Sequence, residues 1–310
     1  MKPLVTVIVV ADYAAGEGAT YAGLRAALHA LSRQTYSGSV EHIVVESTRF
    51  RQQVPADLAT ILRDVQVVFC ATPDSLALRN EGVRLARGDV VVFLDADCIP
   101  DPQWLERMME TMADHPEASV VSGRTVYGGA SLMERTFSLL SRAYVDRGGA
   151  GATRYISNNN VAFRRAVLLA HPFPTSANPF VMALHAGAIL AAHGILWFDP
   201  EARVVHAYGG WAFENEVSRN AGWATIAVRQ VASQARLAWL VRLGYAAIPV
   251  FVLVALLKSW WRLCRFGPAY GLAWYELPIG FTVATVLCAM QAPGMWKALS
   301  GKPVVETRYR

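Results

Sequence analysis

The chain has 310 residues, 54% hydrophobic and 17% charged, with a mean hydropathy of +0.27 and a formal net charge of +5. That is too apolar for an ordinary soluble enzyme and too polar for a multi-span transporter; it suits one α/β domain of about 200–250 residues with a membrane-seeking appendage. The charge excess is local: five cations and no acid lie between Arg236 and Arg265. Cations beside long apolar runs point to an anionic lipid surface, and no nucleic-acid module is present. Cys70, Cys98, Cys264 and Cys288 are scattered without a C-x-x-C, against a disulfide frame or a zinc site and for a reducing setting. The first apolar run stops at Asp12, without the length or cleavage pattern of a signal peptide.

Residues 4–11 form a β-branched run that predicts a buried strand. Residues 12–20 are rich in Gly and Ala and predict a loop, and 22–32 carry Leu24, Ala27, Leu28 and Leu31 at helical spacing. Ile43, Val44 and Val45 predict a second strand ending at Glu46, so the chain opens as the βαβ unit of a parallel sheet. A helix over 54–62, a strand over 65–70 and an amphipathic helix over 74–85 follow. Then comes Val90-Val-Val-Phe-Leu-Asp-Ala-Asp-Cys98: five apolar residues ending in two carboxylates one residue apart. Asp95 and Asp97 would sit at the carboxyl end of a core strand, the usual ligand edge of an open α/β sheet. Carboxylates this close repel unless a proton or cation lies between them, and a divalent cation there can hold substrate phosphates. In the plainer reading, one Asp starts a turn and the other caps the helix near Pro102.

Arg79-Asn-Glu-Gly82, Ala86-Arg-Gly-Asp89, the Asp-Ala-Asp strand end and Pro100-Asp-Pro-Gln-Trp-Leu105 together resemble the inverting family 2 glycosyltransferases. In that family the block reads A-R-N-x-G-x-x-x-A-x-G-D followed by F-L-D-A-D; Leu78 replaces the usual small residue. The resemblance implies a GT-A type nucleotide-sugar fold, a mostly parallel sheet flanked by helices. It implies Mn2+ or Mg2+ at Asp95 and Asp97, and donor contacts from Glu46, Arg79, Asn80, Asp95 and Ala96. Leu31-Ser-Arg-Gln-Thr35 and Val44-Val-Glu-Ser47 occupy the family's S-x-x-x-Q-T and V-V-D-D-G-S places. Glu46 keeps the charge that reads the base, whereas the second acid is lost. The P-x-Y-N that follows strand one is blurred to Val10-Ala-Asp-Tyr13. Arg79 has the fork geometry for a diphosphate, or is a solvated helix arginine.

Further on, a helix is expected over 104–113, a strand over 118–126, a helix over 131–145 and a hinge-like loop over 148–151. Asn158, Asn159 and Asn160 precede Val-Ala-Phe163 and Arg164-Arg165, where the family lines its acceptor side. Three carboxamides suit sugar hydroxyls, and equally suit a turn. The family's Glu-Asp base pair should fall near Met182-Ala183, yet residues 176–195 hold no acid. His185 is the one side chain there able to take a proton near neutral pH, or it is a packed histidine. Glu214 and Glu216 are the downstream candidates for the base. Otherwise the chain binds without transferring sugar, as a scaffold, or acts as a sugar nucleotidyltransferase. His206 ends a strand where related enzymes can complete the metal site, and Trp211 offers a sugar-stacking platform or a lid.

Residues 243–257 and 277–296 are uncharged apolar runs. At about 1.5 Å per residue the second could cross a hydrocarbon core of about 30 Å. Two full crossings would place Lys258 to Arg265 on the far side from the catalytic domain, against the positive-inside tendency. A monotopic hairpin with Trp260 and Trp261 at the headgroups removes that conflict. Residues 1–235 are thus expected to form the transferase domain and 236–310 a C-terminal apolar helical hairpin and tail. The expected partners are a nucleotide-sugar donor, a glycan or lipid-linked acceptor and membrane lipid, with no nucleic acid. The expected location is the cell membrane, with the catalytic domain on the cytoplasmic side.

Overall fold

The computed structural model describes residues 4–11, 21–71, 74–129, 131–174, 181–232 and 235–303. The loop expected over 12–20, with the Asp12 and Tyr13 comparison, lies outside the described residues, as do positions 175–180. The first half runs β1 (Val5–Val10), α1 (Ala22–Leu31), β2 (Val40–Ser47), α2 (Leu58–Ile61), β3 (Gln66–Cys70), α3 (Ser75–Leu85) and β4 (Val90–Asp95). Then follow β5 (Cys98–Pro100), α4 (Trp104–Asp114), β6 (Ala118–Tyr127), α5 (Leu132–Phe137), β7 (Gly151–Thr153) and β8 (Asn160–Arg164). Next come α6 (Arg165–Ala170), α7 (Val181–Ala191), β9 (Ile195–His206) and α8 (Gly210–Val231). Helices α9 (Ala247–Phe266), α10 (Leu277–Met290) and α11 (Ala292–Leu299) follow.

The strands join in the order β3-β2-β1-β4-β8-β6-β9-β5, with β7 also on β9. The first four are parallel, as the β-branched runs require of strands buried on both faces. Side chains alternate between two cores. Val5, Val7, Val9, Val92 and Leu94 pack under α1 and α4, while Ile8, Val10, Val91 and Phe93 pack under α3, α6 and α7. The crossovers leave β1 toward β2 on one side and reach β4 on the other, so the switch point of the sheet lies between Val10 and its register partner Asp95. Beyond β4 the sheet is mixed. β8 is antiparallel to β4 and β6, and β9 is parallel to β6. An antiparallel β8 starts where β4 ends, and this delivers Asn158 to Asn160 to the Asp95 edge.

Two local expectations are revised. The helix expected over 54–62 is only the single turn of α2. Residues 131–145 form α5 followed by a π-helix at Ser138–Arg142. Pro100 ends a short strand, β5, which is the terminal strand of the sheet, where a missing N–H is tolerated.

The C-terminal helices are laid against the domain. Arg262 of α9 donates to the Ala143 carbonyl, and Leu263 and Phe266 pack with Val126, Leu139 and Ala143. The middle of α10 brings Val283 and Leu287 onto Tyr127 and Phe137. Helix α11 lies on α8 so closely that a side chain at Gly294 would meet the Arg219 carbonyl. The second apolar run is thus two helices, interrupted at Gln291 ahead of Pro293. The expected boundary after residue 235 falls just past α8, which shares a core with these helices through Ile226.

Candidate active site

Register brings the chemistry together. Cys98 of β5 pairs with His206 of β9, and His206 pairs in turn with Tyr127 of β6. Side-chain ligand atoms of Asp97, Cys98 and His206 lie within 4.8 Å of one another. His206 Nε2 stands 3.3 Å from Asp97 Oδ2. Its Nδ1 is 2.6 Å from the Ala207 carbonyl, which can only accept, so the proton resides on Nδ1. Burial and the Arg142 charge push the imidazole down to about 4, against the opposing pull of Asp97 and the Ala207 carbonyl. The ring is therefore neutral near pH 7, and its Nε2 lone pair faces a carboxylate. Two acceptors opposed at this distance could hold a cation, and imidazole with carboxylate suits Mn2+. The residues present fit a divalent metal. Cys98, which sequence reasoning left aside, is buried at the same spot; burial and then the two aspartates hold its thiol well above the usual range.

Asp95 closes β4 at the carboxyl edge of the sheet. It is buried and paired with Arg79, Nη2 to Oδ1 at 2.5 Å, and sits outside the Asp97–Cys98–His206 cluster. Arg79 is 2% exposed and also donates to the carbonyls of Ser75 and Asn158. Neither side chain faces the cleft as a solvated group; the pair ties α3 to the end of β4. Asn80 is turned away from the donor edge, its carboxamide bonded to both the N–H and the carbonyl of Phe173. Glu46 is buried at the end of β2, where it accepts from the Tyr21 hydroxyl at 3.2 Å and the Ser47 N–H. Ala96 is buried and donates its N–H to the Val10 carbonyl.

On the acceptor side the three asparagines divide. Asn160 is wholly internal: it accepts from the Trp104 indole at 2.8 Å and donates to the Arg124 and Ala202 carbonyls. Asn159 accepts from Thr125 and Ser157 and donates to Cys98 Sγ, so it backs the Asp97–Cys98–His206 cluster. Asn158 alone is exposed. Trp211 is 37% exposed, with its ring 5.3 Å from Phe137.

The base candidates are likewise sorted by burial. His185 is 1% exposed, stacked on Phe163, with Nε2 donating to the His171 carbonyl at 2.7 Å. Burial lowers its pKa, and it belongs to the core under α3 and α7. Glu214 is fully buried and accepts from the Tyr127 and Ser141 hydroxyls. Glu216 is half-buried, two residues on and about 200° round α8.

A cleft of about 380 Å3 opens on the cluster, lined by Gly23, Asp97, Gly128, Glu134, His206 and Tyr208 among others. Arg142 of the π-helix donates from Nε to the Tyr127 hydroxyl and repels a proton on His206, so it stands beside the cluster. Sequence reasoning missed Glu134 and Arg142 as site residues. Ser131-x-x-Glu134 is legible as a helix start, but nothing local shows that this turn borders the cleft.

Comparison with known proteins agrees with this geometry. The profile described as glycosyl transferase family 2 matches residues 13–170, just over half of the chain. Glycosyltransferase AglE of Haloferax volcanii is 26% identical over 144 residues, 45% of this chain and 42% of that protein. The glucosyl-dolichyl phosphate glucuronosyltransferase of the same organism is 38% identical over 48 residues, 16% of this chain and 15% of that one. The matches thus span less than half the length of these curated relatives. A mannosyltransferase, PcManGT of Pyrobaculum calidifontis, solved with GDP-Man and Mn2+, is 20% identical with a TM-score of 0.63, covering 98% of this chain and 89% of that one. That likeness shows the fold, and the profile match shows the family: the chain belongs to glycosyl transferase family 2.

Proposed function

We propose that this chain is a glycosyltransferase that moves a sugar, with inversion, from a nucleotide-sugar donor to a glycan or lipid-linked acceptor at a membrane surface. The observation that carries the reading is the Asp97–His206 pair beside the switch point of the sheet. Asp97 and His206 would hold Mn2+ or Mg2+, with the imidazole favouring Mn2+; the GDP-Man and Mn2+ of the PcManGT complex support the same pairing. When bound, the cation would neutralise charge on the leaving diphosphate. Glu46 and the Ala96 edge border the nucleotide, and Asp95, fixed by Arg79, orients the turn that carries Asp97. Asn158 and Trp211 remain the acceptor-side contacts, while Asn159, Asn160, Asn80 and His185 act as scaffold.

The outer face of the helical layer supports membrane attachment. Leu253, Leu257, Trp261, Trp274, Tyr275 and Trp296 are all more than half exposed. A face this apolar on the rim of a folded domain marks a lipid or protein contact. Helix α10 touches the domain at mid-length, which favours a layer lying in the membrane surface over two crossings. The dolichyl phosphate in the name of one relative supports a lipid-linked acceptor. Donor synthesis in the cytosol would place the catalytic domain on the cytoplasmic side. The test is to mix the protein with Mn2+ and each of a panel of UDP- and GDP-sugars, GDP-mannose included. Release of free nucleoside diphosphate is the expected result, with the product anomer read by NMR. Donor binding without release would point instead to a scaffold, and pyrophosphate release to a nucleotidyltransferase.

A further inference from the structure

We infer that Glu134 is the general base of the transfer, taking the proton of the acceptor hydroxyl in the Asp97–His206 cleft. The inference rests on the transferase reading above. Glu134 lines the same cleft as Asp97 and His206. Its Oε2 accepts from both the N–H and the hydroxyl of Ser131 at the start of α5. Its Oε1 accepts no hydrogen bond from any described residue, so one lone-pair edge is left for a substrate proton. The carboxylate lies directly against Gly129. A Cβ on Gly129 would lie 1.6 Å from Oε2 and 2.0 Å from Oε1, so the group can occupy its place only because residue 129 has no side chain.

The other ionisable groups at the cleft are less suited. Asp97 and His206 face each other, and the Tyr208 phenol is raised by burial and by Glu214 and Glu134, so it stays protonated. Glu214 and His185 are sealed inside the protein. The step balances without a further reactant. The acceptor oxygen bonds to the anomeric carbon as its proton passes to Glu134 Oε1. The bond from that carbon to the phosphate oxygen breaks, and its electron pair leaves on the nucleoside diphosphate.

The test uses the full chain with Mn2+ and UDP-glucose, UDP-N-acetylglucosamine or GDP-mannose. Water serves as the acceptor, since a base that activates an alcohol also activates water. Glu134→Gln keeps the Ser131 contacts, because Gln serves the same capping box. It is expected to lower kcat by about 10²–10⁴-fold with the donor KM within about threefold of wild type. Glu134→Asp should recover part of the loss. Gly129→Ala, which keeps the acid but displaces it, should lose turnover as well. Turnover of Glu134→Gln within about threefold of wild type, full activity of Gly129→Ala, or loss of donor binding in Glu134→Gln would each overturn the assignment. A wild-type chain that binds no nucleotide sugar would remove the transferase reading and this one together. A wild-type chain that turns over while Glu134→Gln keeps pace removes only this one.

Discussion

The Nε2 of His206 and the Oδ2 of Asp97 face each other across 3.3 Å, with the Nδ1 proton of the same ring already given to the Ala207 carbonyl. A lone pair opposed to a carboxylate is unfavourable until a cation lies between them. His206→Ala should therefore weaken Mn2+ binding by at least roughly tenfold, since even losses outside the ligand set cost about that much. Titration of free Mn2+ by EPR, with and without the variant, measures it. An unchanged affinity would remove His206 from the ligand set.

Arg79 and Asp95 form a buried pair. Removing one partner strands the other charge in the core. Arg79→Met should cost about 3–5 kcal/mol of stability, read as a lower urea midpoint with little change in slope. Arg79→Met combined with Asp95→Asn should cost less than the sum of the single changes, because no unpaired charge then remains.

Asn160 satisfies the Trp104 indole and two carbonyls. Asn160→Ala leaves those groups dry at roughly 1–3 kcal/mol for each unsatisfied group. The expected result is a lower melting temperature with an unchanged acceptor KM in the folded fraction. A changed KM with full stability would return Asn160 to the acceptor site.

Two histidines make the fold acid-sensitive. Burial holds both His42 and His206 down to about 4, against 6.5 in the unfolded chain. Between those values the unfolded state binds more protons, so stability is fully present above about pH 6.5 and falls as pH drops toward about 4. The loss is on the order of 3 kcal/mol per histidine. His42→Gln should flatten its share of that slope in denaturant titrations run from pH 7 to 4.

The outer face of α9 offers a direct test of attachment. Leu257 and Trp261 are 55% and 59% exposed, so they contribute little to folding. Replacing both by Ser should leave the melting temperature within a few degrees. Each change should weaken sedimentation with anionic vesicles by roughly tenfold, taking about 1.5 kcal/mol for each large apolar side chain withdrawn from lipid. Unaltered vesicle binding would mean that another surface holds the membrane.

Periodicity and composition were enough to determine the parallel half of the sheet, its flanking helices and the apolar C-terminal run, because buried strands and amphipathic helices write their burial into adjacent residues. The Asp-Ala-Asp stretch marked a strand end, and the family block around it gave that end its expected ligand role. Which partner each aspartate takes was decided only in three dimensions. Asp95 is drawn to Arg79 from a helix 16 positions earlier. Asp97 meets a histidine carried back by β9, more than a hundred residues on, through strand register. The same holds for His185, which the sequence left as either a base or a packed histidine and which is stacked on Phe163 with Phe173 tilted against it. It holds again for Glu134, where local pattern shows a helix cap and only the meeting of the β6 and β9 ends turns that cap toward a cleft. Burial and pairing of polar groups depend on neighbours distant along the chain, and no local pattern contains them.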